Sequence, residues 1–166
     1  LYFITICVQD RKCLFGEIGN EDMILNEYGV IAHQQWQQLP DRFTHMILDV
    51  FQIMPNHMHG IIMLTDTVGA TLAVARDDNT NAENNAVAPD DLIAAIGAGA
   101  SPAPTNTKTV GDIIGAYKSL VANDCLEIFK QNHPGKMMGK LWQRNYYEHI
   151  IRDDQSYQRI SEYIIN

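Results

Sequence analysis

The sequence predicts an α+β fold in which helices cover one antiparallel sheet. Predicted elements follow the order strand, strand, helix, strand, strand, helix, strand, helix, which is close to a ferredoxin-like plan. Apolar residues make up 46% of the chain, enough for a hydrophobic core. With 166 residues, the chain is expected to form a single domain.

The N-terminal quarter is predicted to contain two strands and a helix. Residues 1–8 alternate β-branched and aromatic side chains, as a strand does. After a turn at residues 10–12, residues 13–18 are predicted to return as a second, short strand. Between residues 23 and 39 apolar residues recur at three- and four-residue steps, which predicts an amphipathic helix that ends before Pro40.

Two further strands are predicted to follow this helix as a hairpin. Residues 46–54 form a strongly apolar run, and residues 57–64 read as its antiparallel partner. The turn between them is formed by Pro55 and Asn56, two residues that favour turns.

The composition changes abruptly between residues 67 and 108, where Ala, Asn, Asp, Gly and Pro predominate and aromatic residues are absent. Such long segments are uncommon inside compact domains and are usually functional or disordered. We therefore predict a mobile insertion, with a short helix near residues 91–96, within a single domain of residues 1–166.

Three elements are predicted after the insertion. A helical stripe runs from about Thr109 to residue 129, and a strand is expected at residues 147–151. Asp153 and Asp154 are suited to cap a last helix, because acidic side chains stabilise helix N-termini. Its apolar residues Tyr157, Ile160 and Ile164 are predicted to share one face.

The charge distribution limits the ways in which this chain could bind a polyanion. Twelve basic and 20 acidic residues give a net charge of −8, which taken globally argues against nucleic acid. The negative charge is unevenly distributed along the chain, because residues 109–166 hold seven basic and seven acidic residues and so carry no net charge. A surface for a polyanion must therefore be built locally, mostly from the last third of the chain.

The cysteine pattern and the apolar runs suggest where the protein is found. Its three cysteines form no CxxC pair, which favours reduced thiols in a cytosolic protein. No apolar run approaches the roughly 18–20 residues of a membrane span, and no charged leader precedes the first strand. We expect a cytoplasmic protein, active at the bacterial nucleoid.

The pair His57 and His59 is the most informative feature for chemistry. In a strand both imidazoles point to the same face, about 7 Å apart along the backbone. Two nitrogen ligands can converge on one divalent cation and leave several coordination positions open, which suits catalysis. The alternative is a pair of ordinary surface histidines on a sheet edge.

Five blocks of the sequence resemble segments of one protein family, and they follow one another in the same order as in that family. The segment around the histidine pair resembles the histidine–hydrophobic–histidine strand of HUH single-strand DNA nucleases, in particular REP-associated tyrosine transposases and their insertion-sequence relatives. The blocks are residues 2–7 with 15–18 (its opening hairpin), 49–62, 110–120 (its middle helix), 141–152 and 162–166. The resemblance covers the chain outside the insertion and implies the HUH nuclease fold.

The resemblance also implies a reaction. The nucleophile corresponds to Tyr163, which attacks a DNA phosphodiester to give a 5′-phosphotyrosine and a free 3′-hydroxyl, while Mg²⁺ or Mn²⁺ held by His57 and His59 polarises the phosphate. The family's third ligand lies four residues after the nucleophile, one position beyond Asn166. The implied partner is single-stranded or hairpin DNA, with no membrane involved, and a homodimer is an option.

Elementary chemistry agrees with this assignment but does not require it. A phenol, with an ordinary pKa of about 10, is a poor nucleophile at neutral pH and needs a nearby cation. Helical spacing places Tyr163 at the edge of the buried face, where its hydroxyl can be reached. Periodicity alone would favour an ordinary aromatic residue at the rim of the core.

Candidate DNA contacts combine aromatic and cationic side chains, a composition that suits stacking on bases and binding of phosphates. They are Trp142, Arg144, Tyr146, His149, Arg152 and Lys118. The alternative is a strand with mixed faces, in which Trp142 belongs to the core and lysines are simply solvated.

The predicted function is a metal-dependent single-strand DNA endonuclease and strand transferase acting on hairpin or palindromic DNA. Two alternatives stay open. One is a domesticated protein that binds DNA hairpins without cutting them, and the other is an HUH nuclease of the replication initiator or relaxase type.

Overall fold

A computed structural model of the protein describes residues 1–65 and 108–165. The described residues belong to one compact unit. The predicted insertion, except Lys108, lies outside them, as do the predicted helix near residues 91–96 and Asn166. The prediction of a single domain for the whole chain therefore stays a prediction.

The predicted fold class is confirmed: the structure combines an antiparallel sheet with helices packed on it. The strands are β1 (Tyr2–Cys7), β2 (Gly16–Gly19), β3 (Asp22–Leu25), β4 (Met46–Met54), β5 (His57–Leu64) and β6 (Tyr147–Ile150). The helices are α1 (Glu27–Gln37), α2 (Leu39–Arg42), α3 (Val110–Asn132) and α4 (Asp154–Ile165).

The main sheet has the strand order β4-β5-β1-β6, and all neighbouring strands are antiparallel. With α1 and α3 as connections, the chain follows the ferredoxin-like order β-α-β-β-α-β. The helix α4 follows as an additional element.

The predicted opening hairpin is wrong, although the second strand exists. Strand β2 pairs forward with β3 in a separate two-stranded sheet, whereas β1 pairs with β5 and β6. Asn20 and Glu21 form the turn with positive φ angles of 51° and 72°. This two-residue turn pairs β2 directly with β3, with Gly19 opposite Asp22.

The predicted start of the first helix is also wrong by several residues. The chain stays extended through β3, and α1 begins only at Glu27. The side chain of Asn26 accepts a hydrogen bond from the backbone N–H of Gly29 and caps the helix. Ile24 matches the helical spacing but is an exposed strand residue. Pro40 lies in the first turn of α2, where it is tolerated.

One face of the sheet is covered by α1 and α3 and forms the main core. Trp36, Tyr117 and Phe15 are fully buried there, and the Tyr117 hydroxyl donates to the Ala32 carbonyl. A Cβ atom at Gly60 would lie 2.7 Å from the Trp36 ring, so only glycine fits this position of β5. The core is therefore continuous across the middle of the sheet.

The opposite face is covered by α4, which contacts β4 and β5. A small apolar cluster of Ile61, Ile151 and Ile164 holds the helix, with Tyr157 and Ile160 packed at its side. This confirms the predicted buried face of α4. Within the described segments, no helix is long and apolar enough to cross a bilayer.

Candidate active site

Two histidines lie side by side on the α4 face of the sheet. His57 and His59 alternate with Met58, which points into the main core, because β5 is a regular strand. Their Nε2 atoms are 3.0 Å apart, and their rings meet edge to face with centroids 4.6 Å apart. Strand alternation thus brings two ring nitrogens to one point.

Each imidazole is held at its other nitrogen. Nδ1 of His57 lies 2.6 Å from the side-chain oxygen of Asn56, and Nδ1 of His59 lies 2.8 Å from the Thr5 hydroxyl. Phe3 stacks on the His59 ring at 5.4 Å. An acceptor at Nδ1 selects the tautomer in which Nε2 carries a lone pair, the arrangement found in metal-binding histidines.

Both imidazoles are held neutral by their surroundings. Burial, followed by the charge of His57, lowers the pKa of His59 to about 4. Burial, followed by the charge of Arg11, lowers the pKa of His57. At neutral pH both rings are therefore uncharged, which is the form that binds a cation.

Tyr163 reaches the histidine pair from α4 within the same chain. Its hydroxyl lies 3.4 Å from Nε2 of His59, and the two rings are 5.2 Å apart. The adjacent Ile164 is buried in the apolar cluster, whereas Tyr163 is 64% exposed. Packing of α4 therefore presents the phenol hydroxyl at the histidines while leaving it accessible.

Two grooves meet at these three side chains. The larger, of about 520 Å³, is lined by His57, His59 and Tyr163 together with Ile18, Glu21, Met23, Gln52, Met54, Ile164 and Ile165. The smaller, of about 260 Å³, is lined by the same three residues together with Thr5, Cys7, Arg11 and Asn56. The two grooves therefore adjoin each other at the histidine pair and Tyr163.

The histidine pair fits a divalent cation only in part. Two uncharged imidazoles with converging Nε2 atoms form a suitable nitrogen donor set. Among the described residues, no third His, Cys, Asp or Glu joins them. Gln52 lies directly opposite His59 in the strand register and lines the larger groove, so a carboxamide oxygen is within the same site.

The sequence-predicted DNA contacts are distributed unevenly. Arg144, His149 and Arg152 are exposed. His149 lies opposite Phe3 in the register of β1 and β6, and so on the same face as the histidine pair. Both His149 and Arg152 line a groove at the start of α4. The structure thus places His149 and Arg152 in this groove together with the carboxylates of Glu148 and Asp153.

Three of the predicted contacts, Trp142, Lys118 and Tyr146, make interactions within the protein. Trp142 is 8% exposed and its indole N–H donates to the Lys118 carbonyl, so its ring belongs to the core and offers no surface for stacking. Nζ of Lys118 donates to the carbonyls of Gln143 and Arg144. The Tyr146 hydroxyl donates to Glu148, and burial together with this carboxylate raises the pKa of Tyr146 to about 12.

Thr5, Asn56, Gln52 and Arg11 were not among the sequence-predicted site residues. A signal was present for Thr5, a polar residue in an otherwise apolar strand, and for Asn56, which directly precedes the histidine pair. Gln52 carries a similar signal as a polar residue in the apolar run of β4, whereas Arg11 carries none, because its position depends on the loop conformation.

Comparison with known proteins identifies a relative in sequence and similar solved structures. An uncharacterized protein of Haemophilus influenzae (strain KW20 Rd) is 38% identical over 168 residues, covering 99% of this chain and 78% of that protein. No protein-family model matches the chain.

The structure of a REP-associated tyrosine transposase bound to a REP hairpin is similar with a TM-score of 0.54 and 13% identity, covering 98% of this chain. The present chain spans 62% of that protein's length. A crystal structure from Deinococcus radiodurans R1, provisionally described as a transposase, has a TM-score of 0.44 and 17% identity, covering 99% of this chain and 87% of that one.

Proposed function

We propose that this chain, which belongs to the same family as the uncharacterized Haemophilus influenzae protein, is a transposase-like DNA-processing enzyme. More narrowly, we propose a metal-dependent endonuclease and strand transferase that acts on single-stranded DNA at hairpins or palindromes. The observation that carries this proposal is the convergence of His57, His59 and Tyr163 in one chain. The fold shared with a REP-associated tyrosine transposase supports it.

His57 and His59 would hold a Mg²⁺ or Mn²⁺ ion through their Nε2 atoms, with Gln52, which lies opposite His59 in the strand register, as a candidate oxygen ligand. When bound, the ion supplies Lewis-acid stabilisation of charge on the non-bridging phosphate oxygens. Thr5 and Asn56 keep the two rings in the required orientation and tautomer. The protein's contribution is therefore a rigid donor pair on a sheet.

Tyr163 would act as the nucleophile. Its hydroxyl oxygen forms a bond to phosphorus, the bond from phosphorus to the 3′ oxygen breaks, and the phenolic proton is released while the leaving oxygen takes up a proton. The product is a 5′-phosphotyrosine and a free 3′-hydroxyl. Because the number of phosphoester bonds is unchanged, a second 3′-hydroxyl can reverse the attack and join strands.

The DNA would be bound mainly by a local surface rather than by net charge. Arg144, His149 and Arg152 are exposed cationic or polar side chains suited to phosphates. Lys118 and Tyr146 would act indirectly. The Lys118 ammonium holds the backbone of the loop before β6, and the Tyr146 hydroxyl holds the side chain of Glu148. Such a small footprint predicts weak binding to random duplex.

A covalent-adduct assay tests the proposal directly. The full-length protein is incubated with labelled hairpin-flanked single-stranded DNA and Mn²⁺, and a covalent protein–DNA band is expected. Tyr163→Phe should abolish the band, whereas the matched control Tyr157→Phe, on the same helix, should retain it. Absence of a band with palindromic substrates that the wild-type protein binds would leave the protein as a binder of DNA hairpins without cleavage.

A second variant separates the metal's role from folding. His57→Ala should lose cleavage by at least about 100-fold while DNA binding changes little, because the ion acts in the transition state. Titration calorimetry with Mn²⁺ should show the loss of the metal site in the same variant. Equal loss of cleavage and DNA binding would indicate that His57 serves only the fold.

A further inference from the structure

We propose that the smaller groove beside the histidine pair is a binding subsite for a phosphodiester anion, and that Arg11 is the residue that recognises this anion. The groove has a volume of about 260 Å³ and is bounded by Arg11, Asn56 and the histidine pair. The inference rests on the proposed function in one respect, since the anion is taken to be the backbone of the DNA substrate. Arg11 would be a positioning residue, placed before or after the scissile phosphate.

The charges of the two grooves differ in sign. The smaller groove contains the Arg11 guanidinium, and none of its lining residues is acidic. The larger groove contains Glu21 and several apolar side chains. An anion next to the histidine pair is therefore attracted to the Arg11 side and repelled from the Glu21 side. The apolar side is suited to a base rather than a phosphate.

Arg11 lines the same groove as His57, His59 and Tyr163. A guanidinium can bind two phosphate oxygens with parallel N–H donors, which sets both the place and the orientation of the anion. A cation in this position would align the DNA backbone with the Tyr163 hydroxyl.

The loop that carries Arg11 has an unusual backbone. Asp10 and Arg11 have φ angles of 55° and 51°, in the left-handed region that residues with a Cβ atom rarely adopt. Such conformations persist only where the surroundings impose them, and they concentrate at functional sites. The backbone N–H of Arg11 donates to the Val8 carbonyl, which keeps the loop against the end of β1.

Asn56 connects this loop to the histidine pair. Its side-chain N–H donates to the Arg11 carbonyl at 3.3 Å, and its side-chain oxygen lies 2.6 Å from Nδ1 of His57. The Asn56 carboxamide thus holds the loop that carries Arg11 and also fixes the tautomer of His57. Through Asn56 the position of Arg11 is fixed relative to the histidine pair, so that a phosphate bound by Arg11 would lie in a defined orientation toward the metal and Tyr163.

The test uses the dinucleotide thymidylyl-thymidine (TpT) as a phosphodiester probe and measures its dissociation constant by NMR titration. The Tyr163→Phe background prevents any covalent reaction. We expect Arg11→Gln to weaken TpT binding at least tenfold and Arg11→Lys to weaken it less. The matched control is Lys12→Gln, an exposed cation in the same loop that does not line the groove, and it should change binding by less than twofold.

Two outcomes would overturn the inference. One is equal TpT binding by the parent protein and Arg11→Gln. The other, measured without any substitution at Arg11, is an unchanged guanidinium N–H resonance of Arg11 when TpT saturates the protein. The second measurement decides the question even if the Arg11 variants do not fold.

The result is separable from the proposed function. Binding of TpT that depends on Arg11, without a covalent adduct in the wild-type protein, would support the subsite and refute the nuclease. An adduct that forms equally well in Arg11→Gln, together with unchanged TpT binding, would support the nuclease and refute the subsite.

Discussion

The two faces of the main sheet differ in what covers them and in what they carry. The face under α1 and α3 is closed by large buried side chains such as Trp36 and Tyr117. The face under α4 has only a small cluster around Ile61, Ile151 and Ile164, and beside it lie the histidine pair and Tyr163. The same strands β1, β4 and β5 supply both faces by alternation.

This difference shows how a small domain can support a polar site. Burial on the closed face stabilises the strands, so the residues that point the other way need not contribute much to stability. The open face can then hold uncharged histidines in a groove that water and substrate reach. Substitutions on the closed face should therefore affect mainly the stability of the fold. Substitutions of the polar residues on the open face should affect mainly the binding of metal and DNA.

The largest effect is expected for Trp36→Ala on the closed face. Removing this fully buried ring should lower the free energy of unfolding by about 3–5 kcal/mol, because it leaves a cavity between α1 and the sheet. Urea denaturation followed by circular dichroism measures the change. Val30→Ala, an exposed position on the same helix, should cost well under 1 kcal/mol. Similar losses for both would contradict a closed core.

The next effect is expected for Ile164→Ala, which removes the main anchor of α4. The docking free energy of this helix should fall by about 2–3 kcal/mol, while global unfolding changes less, because few other residues hold α4. Hydrogen exchange of residues 154–165 should accelerate, and adduct formation should drop. Ile165→Ala, at an exposed neighbouring position, serves as control. Unchanged exchange in Ile164→Ala would show that α4 is held in another way.

A smaller effect is expected for Thr5→Val, which keeps the shape of the strand residue and removes its hydroxyl. Without this partner, Nδ1 of His59 loses its hydrogen bond, and Mn²⁺ affinity should fall about 10- to 100-fold. Titration calorimetry provides the measurement. Thr65→Val should leave affinity unchanged, because the Thr65 hydroxyl donates to the backbone carbonyl of His45, away from the site. If both variants bind Mn²⁺ like the wild type, the hydroxyl does not orient His59.

The smallest effect is expected in the pH dependence of the stability of the metal-free protein. Folding lowers the pKa of His59 to about 4, whereas an unfolded histidine has a pKa of about 6.5. Between these values the unfolded chain binds more protons, so stability is lost as the pH falls from 6.5 towards 4. We expect a loss of about 1 kcal/mol from this group in EDTA, reduced because water reaches the groove.

His59→Gln should flatten that pH dependence, measured by urea denaturation at several pH values. The opposite result, equal slopes for wild type and His59→Gln, would mean that the pKa of His59 is the same in the folded and the unfolded protein.

Much of the site could be predicted from local sequence. The spacing of His57 and His59 in a strand implies that they share a face, and the structure shows this. The apolar stripe of α4 implies a rim position for Tyr163, and its 64% exposure agrees. Trp142 illustrates the limit of such predictions. An aromatic side chain among cationic ones suits stacking on DNA bases as well as it suits a core, and only the structure shows that this ring is buried.

The sequence by itself determined the fold class, most elements and the two motifs that meet at the site, because periodicity and turn residues act over a few positions along the chain. Only the tertiary structure decided that β2 pairs with β3, that α4 packs on the face opposite α1 and α3, and that Gln52, Thr5 and Arg11 surround the histidine pair. The reason is that these relations depend on strand order and register, and residues as far apart as Thr5, His59 and Tyr163 become neighbours only when the sheet is complete.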